Sequence, residues 1–234
     1  MKGRVLIVAG SDSSGGAGIQ ADIKTVTALG GYAMTAITAL TAQNTTGVHG
    51  IHDVPAEFVA EQMRLALIDI GADCVKTGML HRADVIEAVA ATLREYAPNV
   101  PVVVDPVMVA KGGHALLAPE ATLAMRHGIV PLAAIVTPNV PEAEALTGTT
   151  IRDENDAAHA ARMIATLGPK AVLMTGGHLA GETVTDFFLH DERIFEVFQS
   201  PRIETPHTHG TGCTLASAIA AGIAQGMTLR NAVI

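Results

Sequence analysis

Val102-Val-Val-Asp-Pro-Val-Met108 decides the fold class. Three successive valines leave no polar position for water, so this strand must be buried on both faces. Strands of that kind belong to parallel sheets covered by helices on either side. Asp105 stands where the strand ends, and Pro106 stops the strand from continuing. Outward from it, short β-branched runs alternate with longer helical patterns. Strands are predicted over 5–9, 34–40, 47–52, 74–77, 102–105, 134–137 and 171–175, and helices over 17–29, 55–70, 83–96, 119–127, 141–147, 155–167 and 211–226. Residues 183–189 and 194–199, split by His190-Asp-Glu-Arg193, read as a hairpin at a sheet edge. The alternation predicts a doubly wound, mostly parallel α/β sheet with helices on both faces. No linker, low-complexity stretch or internal repeat interrupts it, so one domain over 1–234 is expected.

Of 234 residues, 49% are hydrophobic and 16% charged, so much of the chain must be buried. A net charge of −8 and 3% aromatic residues argue against nucleic-acid binding by basic patches or stacking platforms. Cys74 and Cys213 match no zinc spacing and read as reduced thiols. The apolar run at the start is too short for a signal peptide, and no run reaches membrane-spanning length. These features together predict a soluble cytoplasmic protein that does not engage membranes.

In such sheets ligands bind beyond the carboxyl ends of the strands. Those ends read Gly10-Ser-Asp-Ser-Ser-Gly-Gly-Ala-Gly18, Thr77-Gly-Met-Leu80, Asp105-Pro-Val-Met108, Thr137-Pro-Asn-Val-Pro-Glu142 and Thr175-Gly-Gly-His178. Glycine, carboxylate and amide recur where a phosphate, a metal and a small polar molecule would sit. The stretch His207-Thr-His-Gly-Thr-Gly-Cys-Thr214 then opens an apolar helix. Its glycines and the helix N-terminus would aim N–H groups at an anion. Cys213 would lie beside that anion, where positive potential favours a thiolate. Phosphoryl transfer is the leading chemistry.

Each piece also has a plain structural reading. The 10–18 loop lacks Gly-Lys-Ser/Thr and is no P-loop. Asp105 can simply end a strand, and Glu142 can simply complement a helix dipole. His207 and His209 form only a His-x-His pair, a weak metal signal. Met79 and Met108 can be core filler. Nucleophilic acyl transfer by Cys213 would need an ordered His and Asn or Asp, which cannot be read here.

The motifs Ala9-Gly-Ser-Asp-Ser-Ser-Gly-Gly-Ala-Gly-Ile-Gln-Ala-Asp22, Thr38-Ala-Leu-Thr-Ala-Gln-Asn-Thr45, Lys76-Thr-Gly-Met-Leu80, Asp105-Pro-Val-Met-Val-Ala-Lys-Gly-Gly113, Thr137-Pro-Asn-Val-Pro-Glu-Ala143 and His209-Gly-Thr-Gly-Cys-Thr214 span nearly the whole chain. In this order they resemble the hydroxymethylpyrimidine/phosphomethylpyrimidine kinases of thiamine biosynthesis, in the ribokinase-like superfamily. The resemblance implies a homodimer that uses ATP and Mg²⁺. It also implies two phosphorylations at one site, of 4-amino-5-hydroxymethyl-2-methylpyrimidine and then of its monophosphate. It implies that Gln43 reads the pyrimidine edge, its amide both donating and accepting. Gly10, Ala17, Met79 and Val107 would line the ring pocket, and Asp105 and Glu142 would serve Mg²⁺. Asn139, Thr175, Gly177, Gly210, Gly212 and Lys111 would approach ATP, and Cys213 would be the base. The chain departs from the pattern at Thr175, where many relatives have lysine before Gly-Gly-His, and in ending at Ile234. A single ribokinase-like domain short of its C-terminal end is therefore expected. Rival readings are a pyridoxal/pyridoxine kinase and a catalytically weak metabolite-binding protein.

Overall fold

The computed structural model describes residues 3–108, 116–117, 120–191 and 194–234. Among the described residues nine strands form one sheet in the order β3-β2-β1-β4-β5-β6-β7-β8-β9. They run β1 Arg4–Asp12, β2 Tyr32–Asn44, β3 Gly47–Asp53, β4 Cys74–Thr77, β5 Val102–Val104, β6 Ile135–Val136, β7 Val172–Met174, β8 Thr183–His190 and β9 Ile194–Pro201. From β2 to β7 neighbouring strands pair in parallel, while β3 and the β8–β9 hairpin are antiparallel at the two edges. The doubly wound reading is borne out.

The helices are α1 Gly18–Ala28, α2 Ala56–Asp69, α3 Ala83–Tyr96, α4 Ala121–Ala124, α5 Val140–Thr147, α6 Glu154–Ala165, α7 Thr211–Ala224 and α8 Leu229–Val233. Alternation along the buried strands sends side chains to two cores. Leu6, Val8, Val75, Val102 and Val104 pack with α2, α3, α5 and α6. Val5, Ile7, Cys74 and Val103 pack with Ile19 and Val26 of α1 and Ala216, Ile219 and Ala220 of α7. The valine run thus feeds both layers, as two-sided burial requires. Among the described residues no helix is long and apolar enough to cross a membrane.

Three local expectations are revised. Of the helix expected over 119–127, Pro119 lies outside the described residues, and among the others the chain is α-helical at Ala121–Ala124. It then widens into a π-turn at Met125–Ile129 and ends in a tight turn at Val130–Leu132. Gly128 and Pro131 lie in this stretch, and neither sustains a regular helix. Helix α7 stops at Ala224, two residues early, and α8 follows with the Thr228 hydroxyl capping the Asn231 amide. Strands β1 and β2 run longer than expected, because each continues through a register shift, at Ala9/Ser11 and Ala42/Gln43. Such bulges re-aim side chains at a sheet's end. These two re-aim the chain at Gly10 and Gln43.

One ion pair ties the layers together. Lys76 of β4 is fully buried, and its Nζ lies 3.0 and 3.1 Å from the two carboxylate oxygens of Asp22, also fully buried, on α1. Ser217 of α7 donates to Asp22 at 2.7 Å. Burial pushes the ammonium toward neutrality, but the charge of Asp22, aided by Asp105, outweighs it and raises its pKa. Removing one partner strands the other in the core. Lys76→Met is expected to cost about 3–5 kcal/mol, read as a lowered urea midpoint. Lys76→Met combined with Asp22→Leu should recover most of that loss.

Candidate active site

The carboxyl ends of the parallel strands open into a cleft of about 520 Å³. It is lined by Asp105, Thr137, Asn139, Glu142, Thr175 and Gly177 on one side and by Gly210, Gly212 and Cys213 on the other. Behind it lies a cavity of about 50 Å³ bounded by Gly10, Gly78, Met79, Lys76 and Thr41. Ala17, Gln43, Val107, Leu116 and Cys213 face both spaces. All the residues expected at the site therefore converge, except Lys111, which lies outside the described residues.

Local sequence explains the cradle. Gly210 adopts φ +83 at the start of α7, and no side chain caps that helix. A side chain at Gly210 would collide with the Gly16 carbonyl, so glycine is required on steric as well as conformational grounds. In the first turn of α7 the Thr211 amide donates to the Thr208 carbonyl, while the Gly212 and Cys213 amides are left for the cleft, and a Cβ at Gly212 or Gly177 would meet nothing within 4 Å. This is room and polarity for an anion. Helix α1 also begins uncapped, at Ala17. The Gly18 amide favours the charged form of the Cys213 sulfur, so the N-termini of α1 and α7 both act on this thiol.

That meeting does not make a resting thiolate, as the motif had suggested. Cys213 is only partly buried at the cleft wall, yet loss of water around its sulfur dominates and pushes it up to about 12, against the opposing charge of Lys76, with Asp105 and Asp22 raising it further. The sequence showed the helix dipole but not the carboxylates packed near it.

Asp105 and Glu142 are buried and face one space. Burial raises both pKa values, and the charge of Asp105 adds to the rise at Glu142. Asp105 Oδ2 has no hydrogen-bond partner among the described residues, and Lys76 Nζ stands 3.9 Å away. Glu142 doubles as a helix cap: it accepts from the Asn139 amide at 3.0 Å, while the Asn139 side chain accepts from the Glu142 amide at 3.0 Å. The bland reading of Glu142 is thus true as well. Two buried carboxylates facing one space, one of them with an oxygen lacking a hydrogen-bond partner among the described residues, suit a divalent cation. Among the described residues no third His, Cys, Asp or Glu completes the group. A bound Mg²⁺ would draw its other ligands from water and phosphate, as this ion commonly does.

Sequence reasoning gave Lys76, Asp22, Thr137 and the contact between Asp12 and His209 no role. Thr137 Oγ1 is buried without a hydrogen-bond partner among the described residues and lines the cleft. The signal for Lys76 was a lysine inside an apolar strand.

The family model described as phosphomethylpyrimidine kinase matches residues 12–234. The chain belongs to that family. It is 56% identical over 99% of its length to the thiamine biosynthesis bifunctional protein ThiED of Geobacter sulfurreducens, of which it spans 47%. It is 48% identical to a hydroxymethylpyrimidine/phosphomethylpyrimidine kinase of Streptomyces coelicolor, covering 98% of this chain and 84% of that one. The crystal structure of phosphomethylpyrimidine kinase from Clostridium difficile 630 superposes with a TM-score of 0.86 at 43% identity, over 98% of this chain and 94% of that one. An ADP complex of Bacillus subtilis pyridoxal kinase superposes with a TM-score of 0.91 at 40% identity, over 100% and 88%. The ribokinase-like α/β fold implied by the motifs is borne out.

The raised thiol has a chemical consequence. A thiolate is the species that alkylates. Without ligands, Cys213 is expected to react with iodoacetamide at pH 8 at least ~10-fold more slowly than free cysteine, whose pKa is about 8.5. Its rate should still climb above pH 10. Cys74, buried and also pushed up to about 12 by burial, should stay unmodified. Timed alkylation followed by peptide mass spectrometry checks both.

Proposed function

We propose that this protein transfers phosphoryl groups from Mg²⁺-ATP to 4-amino-5-hydroxymethyl-2-methylpyrimidine and then to its monophosphate, in thiamine biosynthesis. The observation that carries the reading is the pair of joined spaces. A small cavity with an amide at its rim opens into a larger, glycine-lined cleft, and Cys213 faces both. The family membership and the names of the relatives support the same substrate class.

In this reading Gln43 pairs with the ring edge, and Gly10, Ala17, Met79 and Val107 close over the ring. Asn139, Thr175, Gly177, Gly210 and Gly212 border the nucleotide phosphates, with Lys111 a further candidate. Asp105 and Glu142 hold Mg²⁺, which supplies charge neutralisation at the phosphates. In the first transfer the substrate hydroxyl oxygen, and in the second a phosphate oxygen of the monophosphate, bonds to the γ-phosphorus, the bond from that phosphorus to the bridging oxygen breaks, and ADP leaves. Cys213 is placed to receive the hydroxyl proton. Two helix N-termini and Lys76 offset part of the cost of its anion. Phosphoryl transfer rests mostly on position and charge stabilisation, so the proton need move only late. A cytoplasmic homodimer with one kinase domain over 1–234 belongs to the same proposal. Light scattering at twice the chain mass checks the dimer.

The decisive assay incubates the protein with Mg²⁺-ATP and follows mono- and diphosphate products of the pyrimidine, with pyridoxal as the comparison substrate. Failure to form the diphosphate from the monophosphate would sink the two-step reading. Preference for pyridoxal would move the protein to the sister activity. Gln43→Ala is expected to raise KM for the pyrimidine ~10–100-fold, because it leaves ring polar groups unpaired, with little change in KM for ATP. Cys213→Ala should lower kcat at least ~10²-fold, the range for loss of a general base. Full turnover by that variant removes the base from the mechanism.

A further inference from the structure

Two loops must meet correctly for this site to work, and one side-chain pair joins them. Asp12 ends β1 and is 2% exposed. Its carboxylate accepts from the Ser14, Gly16 and Ala17 amides at 2.8, 3.2 and 2.8 Å and from the Ser14 hydroxyl at 2.8 Å. These bonds shape the loop that carries Ala17 at the wall of the ring cavity. One more partner comes from across the site: His209 Nε2 lies 2.8 Å from Asp12 Oδ2. A carboxylate only accepts, so Nε2 carries the proton. His209 immediately precedes Gly210, which opens the anion cradle.

The contact is tight on both sides. A Cβ at Gly16 would come 2.5 Å from His209 Cδ2, and one at Gly210 would overlap the Gly16 carbonyl. The loops touch backbone to backbone, with the Asp12–His209 bond beside the seam. The other four donors to Asp12 all come from its own loop, so that loop is shaped chiefly from within. What the His209 bond fixes is the distance between the loops.

We propose that the Asp12–His209 pair is a positioning contact that holds the ring-pocket loop and the phosphate-cradle loop in register for transfer. The inference rests on the kinase reading above. The pair acts through Ala17 and Gly210, and each ligand can bind its own loop without it. Alignment of the hydroxyl with the phosphate is what it secures, and a misplacement of about 1 Å can cost ~10²-fold in rate.

The test is steady-state kinetics of the full chain with the pyrimidine and Mg²⁺-ATP, with melting temperature measured alongside. His209→Ala is expected to lower kcat ~10–100-fold with both KM values within about threefold of the wild type. His209→Gln, whose amide reaches where Nε2 sits, should recover kcat to within about threefold. His209→Asn, one bond too short, should behave as alanine does and replaces that variant if it fails to fold. Added to Asp12→Asn, His209→Ala should cost much less than it does alone, since the contact is already weakened. Unchanged kcat in His209→Ala, a loss confined to KM, glutamine no better than asparagine, or effects that multiply would each overturn the proposal. Wild-type protein that does not phosphorylate the pyrimidine would instead overturn the kinase reading, so the two failures are distinct.

Discussion

A positive charge sealed inside the sheet organises much of this molecule. Lys76 Nζ reaches Asp22 on α1 and stands 3.9 Å from Asp105 at the end of the valine strand. Ser217 of α7 binds the same Asp22. One ammonium therefore fixes where two helices and the site's carboxylate stand relative to the sheet. Burying three charges is unfavourable unless each finds its partners, so the arrangement tolerates little displacement. Gly78 shows how tight the fit is: a Cβ there would come 2.9 Å from Nζ. The cost of burying the ammonium is met chiefly by Asp22 and in part by Asp105, which also faces the cleft.

The same crowding governs the thiol. A helix N-terminus alone lowers a cysteine pKa, and two such termini meet at Cys213. Even so, burial with Asp105 and Asp22 nearby keeps the proton on sulfur. Cations arriving at Asp105 and Glu142 would shift that balance toward the thiolate, because carboxylate charge raises it now. Charge state at Cys213 is thus a property of the occupied site, and a resting thiol is compatible with a base that works during transfer.

Much of the fold was legible because it is local. The valine strand, β4 at Cys74–Thr77 and α3 at Ala83–Tyr96 lie where apolar runs and helical periodicity put them. The strand-end motifs also named most of the cleft, since in a parallel sheet those ends must lie on one side. What stayed hidden was either too short or too distant. Helix α8 has five residues, fewer than periodicity can register. The bulges at Ala9/Ser11 and Ala42/Gln43 are set by pairing between strands and leave no local pattern. The Lys76–Asp22 and Asp12–His209 pairs join residues 54 and 197 positions apart.

The glycine loops show why such pairs escape a linear reading. Gly16 and Gly210 each look like flexible turn residues, and Gly210 does use its freedom at φ +83. Yet a Cβ on either one would strike the opposite loop, so their smallness is a shared steric condition. Flexibility is the wrong description of the assembled seam. Once His209 bonds to Asp12, the glycines allow an approach too close for any side chain, and the loops become rigid by contact. Rate in phosphoryl transfer depends on such fixed spacing more than on any single acid or base. The residues with the least chemistry of their own therefore set the geometry within which Cys213, Asp105 and Glu142 can act.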